Sequence, residues 1–322
     1  MGDLRIYVIR RLALMIPTVF LVTIIVFLTV RLIPGDIVDV MVGEAGAEAG
    51  STMDREGIER ALGLDQPVFV QYGRWIRDIV TRGSLGLSLR GNNPVTEKIV
   101  ERLPVTFELG LLAIVVGLLI SLPIGIYSAI RQDTPGDYIG RSLAIIFISV
   151  PSFWTGTMIM IYPAIWWGWS PPVKMVAFAD DPLGNLGMFI IPSLILGMLL
   201  SGTTMRMTRT MMLEVLRQDY IRTAWSKGLK ERVVVMRHAL KNALIPVVTM
   251  VGMQLPILVG GSVIIEQIFN LPGIGRLMLQ ALYQRDYMVV SGVNLFVAAV
   301  VIGMNLVIDL TYSFLDPRVH YR

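Results

Sequence analysis

The sequence predicts an all-α polytopic membrane protein, and three observations carry that prediction. Of the 322 residues, 54% are hydrophobic and only 16% charged, whereas a soluble globular domain carries about 25% charged residues. Mean hydropathy is +0.65. Six runs, approximately Leu12–Val30, Leu109–Ile130, Leu143–Ile165, Met188–Thr204, Leu244–Ile265 and Met288–Ile308, fall in or near the range of roughly 17–25 apolar residues that crosses a bilayer as a helix.

The first run follows Arg5, Arg10 and Arg11, as a signal peptide would. It is too long for a signal h-region and ends in Arg31-Leu-Ile-Pro-Gly35 without a small-x-small cleavage site, so it is expected to be retained as a span. The long segment Leu32–Arg102 reads as a small folded extracytoplasmic element. Thr52–Leu62 suggests a short helix, Pro67–Thr81 a second, amphipathic one, and Gly83–Leu89 a turn or short strand. Pro123, Pro151, Pro192, Pro246 and Pro256 interrupt the later spans, with Gly260-Gly261 close behind the last. Freed carbonyls in lipid need other partners, so these spans are either kinked for packing or bent to line a path.

An even number of spans puts both termini on one side, and charge chooses the side. The N-terminal segment, the Arg131–Arg141 turn, the Arg206–Lys241 loop and the tail with Arg318 and Arg322 are basic. The short opposite loops hold only Lys174 in one, and Arg276 and Arg285 in the other. Both termini are therefore expected in the cytoplasm. The arginines of the Leu32–Arg102 segment do not oppose this, because loops beyond about 60 residues translocate largely regardless of charge. The expected divisions are 1–31 (N-terminal end and first span), 32–102 (extracytoplasmic element), 103–312 (transmembrane core with a cytoplasmic loop at 205–243) and 313–322 (tail).

Much chemistry is excluded. There is no cysteine and there are only two histidines, His238 and His320, so no disulfide, thiolate site or multi-histidine metal centre is expected. The Met205–Met212 stretch has spacing suited to helix packing rather than to copper. No Gly-x-x-x-x-Gly-Lys-[Ser/Thr], His-Glu-x-x-His or Gly-x-Ser-x-Gly occurs. Glu108, Glu266 and Asp309 lie at span ends, where interfacial pairing is the expected role rather than a proton relay. A channel or ion-coupled carrier would need buried ionisable groups or a filter near the midplane, which the sequence does not offer, and a membrane enzyme lacks its motifs. A receptor-like signalling protein that engages a partner through the basic loop is the remaining alternative, and active transport would have to borrow its energy.

The loop Arg206–Lys241 carries nine basic residues against Glu214, Asp219 and Glu231. Met205–Arg217 is expected to prolong the fourth span as helix. Asp219 would cap a short amphipathic helix, Tyr220–Lys227, which Gly228 would end. A further helix, Glu231–Ala243, would lead through Ile245-Pro246 into the fifth span. A short helix held between two membrane-entering helices is a lever for a partner protein; the alternative is an amphipathic helix resting on anionic headgroups.

Arg222-Thr-Ala-x-x-Lys-Gly228 followed by Ile245-Pro246 resembles the EAA motif of binding-protein-dependent ABC transporter permeases, with Arg222 where the general motif has Glu. Further stretches resemble the dipeptide/oligopeptide/nickel subfamily. They are Arg31-Leu-Ile-Pro-Gly-Asp36, Leu62-Gly-Leu-Asp-Gln-Pro67 with Gln71-Tyr72 and Trp75, Gly83-Ser-Leu-Gly-Leu-Ser88 and Val150-Pro-Ser-Phe-Trp154. Arg237-His-Ala-Leu-Lys-Asn-Ala-Leu-Ile-Pro246, Phe269-Asn-Leu-Pro-Gly-Ile-Gly275 and Asp316-Pro-Arg318 continue the likeness to the end of the chain. The long segment after the first span resembles the B-type permease of the pair.

The resemblance implies the type I ABC importer membrane fold. It also implies a C-type permease as heterodimer partner, two P-loop ATPase subunits that use ATP and Mg, and an extracytoplasmic solute-binding protein. The chain would bind no cofactor or metal and catalyse nothing. Asp219, Arg222, Thr223, Ala224, Trp225, Lys227, Gly228 and Leu229 would form the coupling segment, with Trp225 or Leu229 as apolar anchor. Ser149, Ser152, Gln254, Asn294 and Asn305 are candidates for the translocation path, or else plain interhelical hydrogen bonds. Asn270, Pro272 and Gly273 are candidates for docking the binding protein. Peptides are the expected cargo; nickel, glutathione and oligosaccharide relatives share these features. The expected location is the cytoplasmic membrane of a bacterium or archaeon.

Overall fold

A computed structural model describes residues 2–32, 65–91, 93–172 and 175–315. The expected helix at Thr52–Leu62, Lys174, the Asp316-Pro-Arg318 stretch and the tail lie outside these residues. Among the described residues the chain is helical, with one isolated bridge between Leu87 and Pro94 and no strand. Five helices among the described residues are long and apolar enough to cross a membrane, or six spans if one sharply bent pair counts as one.

The helices, in order, are α1 (Gly2–Leu32), α2 (Val68–Arg82), α3 (Val95–Ile130), α4 (Pro135–Ser149), α5 (Ser152–Trp167), α6 (Pro182–Leu216), α7 (Asp219–Ser226), a single turn α8 (Glu231–Val233), α9 (Leu240–Ile268), α10 (Ile274–Tyr283) and α11 (Tyr287–Leu315). A π-helical turn, Val234–Ala239, joins α8 to α9. The amphipathic helix expected at Pro67–Thr81 forms one residue later as α2, ended by Gly83 at φ +61°.

Two expectations change. The run Leu143–Ile165 is not one helix: α4 and α5 meet at 91°, because Pro151 holds the junction extended and cannot donate to the α4 ladder. The run beginning at Leu109 starts much earlier, at Val95. With 36 residues, α3 is about 54 Å long, against a hydrocarbon core of about 30 Å, so it projects well beyond any membrane. The 35-residue α6 does the same, as expected from the helix-forming Met205–Arg217.

The chain divides into two compact units. One comprises Met1–Val8, Leu103–Arg276 and Gly303–Arg322. Its core packs Leu109 and Ala113 of α3 against Met188, Phe189, Leu196 and Leu200 of α6 and Ile265 of α9. Backbones approach closely here. A Cβ on Gly197 would meet the Ala113 carbonyl at 2.9 Å, and one on Gly202 the Ala144 carbonyl at 2.8 Å, so only glycine fits.

The second unit comprises Ile9–Arg102 and Leu277–Ile302. In it α2 lies on α1. Thr23 shares a 2.8 Å hydrogen bond with Tyr72, and the Phe27 ring sits 5.2 Å from Tyr72 and 5.8 Å from Trp75. The expected turn at Gly83–Leu89 forms and is pinned by Asp286, which accepts from Ser88 Oγ, from Leu89 N at 3.2 Å and from Val289 N at 3.3 Å. Asp286 thereby caps α11 and holds the turn at once.

Candidate functional site

Helix α7 has one face buried in an apolar cluster and the other exposed. Ile221 and Ala224, three residues apart and so on one face, are buried at 0% and 6% exposure. They pack with Met212 of α6, Val234, Val235 and Ala239 of the π turn, Ala243 of α9 and Ala129 of α3. Tyr220 and Trp225 remain 44% and 45% exposed, and Arg222, Thr223 and Lys227 are exposed as well. The helix thus has an apolar foot and an outer face that carries Tyr220, Arg222, Thr223 and Trp225, with Lys227 just beyond its end.

Both ends of α7 are fixed. Asn242 Nδ2 donates to the Tyr220 hydroxyl at 2.8 Å, tying the helix to α9. At the other end Gly228 N–H donates to the Trp225 carbonyl at 2.9 Å, and Gly228 adopts φ +71°, a left-handed conformation that glycine takes without a Cβ penalty. The capping expectation for Asp219 is corrected. Gln218, with φ −72° and ψ 149°, is the extended residue before the helix, and Asp219 is its first helical residue. The Asp219 carboxylate is 96% exposed and 3.4 Å from Arg222 Nη1, so it offers the helix N-terminus negative charge rather than a side-chain cap.

The other expected coupling residues divide by orientation. Ala224 points inward, and Leu229 is partly buried against the same cluster; these two seat the helix, which leaves Trp225 as the exposed apolar group.

Beside α7 lies a polar cluster that the sequence reading did not single out. Asp137, in the first turn of α4, is fully buried. Its carboxylate receives Arg209 of α6 in a fork, from Nε at 2.8 Å and Nη2 at 2.9 Å. Asp133 N donates at 3.0 Å, Ser128 Oγ also donates, and Arg141 Nη2 lies 3.3 Å away. The Arg209 hydrogen bonds hold the Asp137 carboxyl well below the usual carboxylate range, although burial opposes them, and the same bonds raise Arg209. Thr134-Pro-Gly-Asp137 before an apolar run is the sequence signal that points to this capping carboxylate. On the far side of the turn, Arg131 makes a second fork to Glu231 of α8, at 2.8 and 3.2 Å.

The candidate path residues do not form one visible cluster. Ser149 and Ser152 flank the 91° bend, and Ser152 lines a cavity of about 200 Å³ with Phe147, Trp154, Thr155 and Met198. Gln254 of α9 accepts from Thr203 of α6 at 3.0 Å, and its Nε2 is buried with no partner. Asn294 is partly buried and Asn305 exposed, both on α11.

The Asn270–Gly273 loop is a tight knot. Thr106 donates to Glu266 at 2.7 Å and accepts from Ile274 N at 2.8 Å, while Glu266 accepts from Arg276 N at 3.0 Å. These bonds satisfy the N-terminus of α10. A Cβ on Gly273 would fall 2.3 Å from the Glu266 carboxyl carbon, and one on Gly275 2.5 Å from Val263 Cα. Asn270 itself takes φ +56°.

Residues 121–321 match the model of the binding-protein-dependent transport system inner membrane component, and residues 4–110 match the N-terminal model of the same membrane component. The chain belongs to this family. Its members are non-catalytic membrane subunits of ABC importers, and ATP is hydrolysed by partner subunits. A relative from Brucella suis biovar 1 (strain 1330) is 42% identical over 314 residues, covering 98% of both chains. The dipeptide transport system permease protein DppB of Escherichia coli K12 is 38% identical over 339 residues, covering 98% of this chain and 99% of its own. Among solved structures, the methionine ABC transporter MetNI in inward-facing conformations superposes with a TM-score of 0.54 at 17% identity, over 69% of this chain and 97% of that one. The likeness to MetNI concerns fold alone.

Proposed function

We propose that this permease imports di- or oligopeptides. It would stand in the cytoplasmic membrane with both termini inside, paired with a C-type permease, served by two ATPase subunits using MgATP and loaded by an extracytoplasmic binding protein. The basic loop sets the orientation, since segments rich in Arg and Lys stay in the cytoplasm. Peptide as cargo rests on relatives such as DppB. Residues 32–102 then face the binding protein together with the Asn270–Gly273 knot, and residues 103–312 make the transmembrane core. Ser149, Ser152, Gln254, Asn294 and Asn305 supply polar groups along the path.

The observation that carries this reading is α7: a helix of eight residues, too short to stand alone in water, seated by a buried apolar foot and presenting Arg222, Trp225 and Lys227 outward. A cleft on an ATPase would receive Trp225 as the apolar anchor, as buried aromatics commonly serve at interfaces. Closure of the two ATPases around ATP draws the seated helices together, and the attached spans rock toward the outward-open state.

The test uses the assembled importer in proteoliposomes. Arg222→Glu reverses a charge on the outer face, and Gly228→Pro removes both the left-handed turn and its donor. Each is expected to abolish substrate uptake while ATP hydrolysis loses its stimulation by loaded binding protein. Unchanged stimulation in both variants would refute the coupling role of α7.

A further inference from the structure

We infer that the turn between α3 and α4, residues 131–137, is a second transmission element: a bracket that ties both limbs of the α7 hairpin together, so that a push on α7 moves α3 and α4 as well as α6 and α9. This extends the coupling role proposed for α7. Three independent contacts support it.

The incoming limb is held by Asp137. Its carboxylate is fully buried and takes the Arg209 fork from α6, ten residues before α7 begins. The outgoing limb is held by Arg131, whose fork to Glu231 reaches α8, the first turn after α7. Between these two grips, the last turns of α3 pack into the apolar foot itself: Ala129 is buried against the cluster that holds Ile221 and Ala224, with Ile126 and Ile130 beside it. Ser128 donates to Asp137 and so joins the foot to the buried grip.

The geometry has a mechanical meaning. Two hydrogen bonds in one plane resist both shear and rotation, whereas a single contact acts as a pivot. One fork on each limb prevents the limbs from separating without a break at residue 131 or 137. The backbones also close on each other: a Cβ on Gly125 of α3 would meet Thr208 Cβ of α6 at 2.8 Å and the Met205 carbonyl at 2.9 Å. Asp137, Arg209, Arg131 and Glu231 are positioning residues: they touch neither cargo nor nucleotide, and they decide how many spans follow α7.

The exposed fork is the place to test this, because the buried one also supports folding. In the assembled importer, Arg131→Glu and Glu231→Arg singly are expected to raise ATP consumed per substrate imported by roughly two- to fivefold, the effect of losing an exposed pair. The double exchange Arg131→Glu/Glu231→Arg restores the ratio. The chain contains no cysteine, so Arg131→Cys/Glu231→Cys can be bridged with a short reversible bis-methanethiosulfonate in a complex whose partners are also cysteine-free. Bridging is expected to return the ratio to that of the unmodified complex. Uptake that stops on bridging and resumes on reduction would overturn the inference, since the contact would then open during the cycle. Unchanged ratios in both single variants would overturn it too. Neither result bears on Arg222→Glu: that variant failing to uncouple sinks the reading of α7 itself.

Discussion

Gly273 illustrates how closely single residues are specified. Its α-hydrogen faces the carboxylate of Glu266, which is itself fully buried and engaged with Thr106 and Arg276 N. A methyl group at this position must displace that carboxylate or the backbone of the knot. Gly273→Ala is therefore expected to lower stability by about 1–3 kcal/mol, the usual cost of overpacking, read as a fall in melting temperature of the detergent-solubilised protein. Gly110→Ala, where a Cβ meets nothing within 4 Å, serves as the control and should not melt earlier. Equal melting of the two variants would contradict the account of the knot. The motif Phe269-Asn-Leu-Pro-Gly-Ile-Gly275 was legible as a motif, but its reason was not. Glu266 and Val263 precede it on α9 and approach its glycines only after the chain folds back. The same holds for Asp137 and Arg209, which are 72 positions apart. Gly228 was readable because a left-handed stop after a short amphipathic helix is a local event. Asp219 misled because Gln218 takes the extended position that a capping residue would have occupied.

At the scale of elements, the buried fork from Arg209 to Asp137 fastens α6 to α4. Asp137→Asn keeps the shape and removes the charge, leaving a guanidinium only 18% exposed beside a neutral amide. Breaking a buried pair costs about 3–5 kcal/mol. The pH dependence has a defined sign. Asp137 has its pKa lowered in the folded protein relative to the ordinary value of about 3.9. It therefore contributes stability that is fully present above about pH 5 and is lost as pH falls below about 4 toward the folded pKa. The melting temperatures of parent and Asp137→Asn should differ by a constant amount between pH 6 and pH 8 and converge in acid; a gap that widened in acid would exclude the ion pair as its cause. Elements were legible where periodicity was local. The amphipathic α2 and the extension of α6 fell within a residue or two of expectation. The 91° break was hidden, because an apolar run interrupted by Pro151 and Pro163 reads as a kinked span. The early start of α3 was hidden by Glu97, Lys98, Glu101 and Arg102, which look like loop until the helix is seen to extend past the apolar stretch.

For the whole molecule, the six apolar runs and the basic loop carried the essential reading. In this family ATP is hydrolysed by partner subunits, and this chain carries no phosphate-binding loop. A conformational equilibrium shifts only by as much as a ligand prefers one state to the other, and here the nucleotide belongs to other subunits. Purified alone into liposomes, the chain should accumulate no peptide against a gradient, with or without ATP inside. Adding the companion permease, the ATPases and the binding protein should establish accumulation. Uphill uptake by the isolated chain would overturn the assignment as a driven gate.

The π-helical turn at Val234–Ala239 has one more consequence. Such a turn is an α-helix with one surplus residue looped out, and the helix on either side keeps its own phase. The stretch joining α7 to α9 can thus lengthen or shorten by a single amino acid without revolving the span that follows. Spacing between α7 and the span that α9 begins is in this way released from the rotation of about 100° that an insertion would impose on an unbroken α-helix.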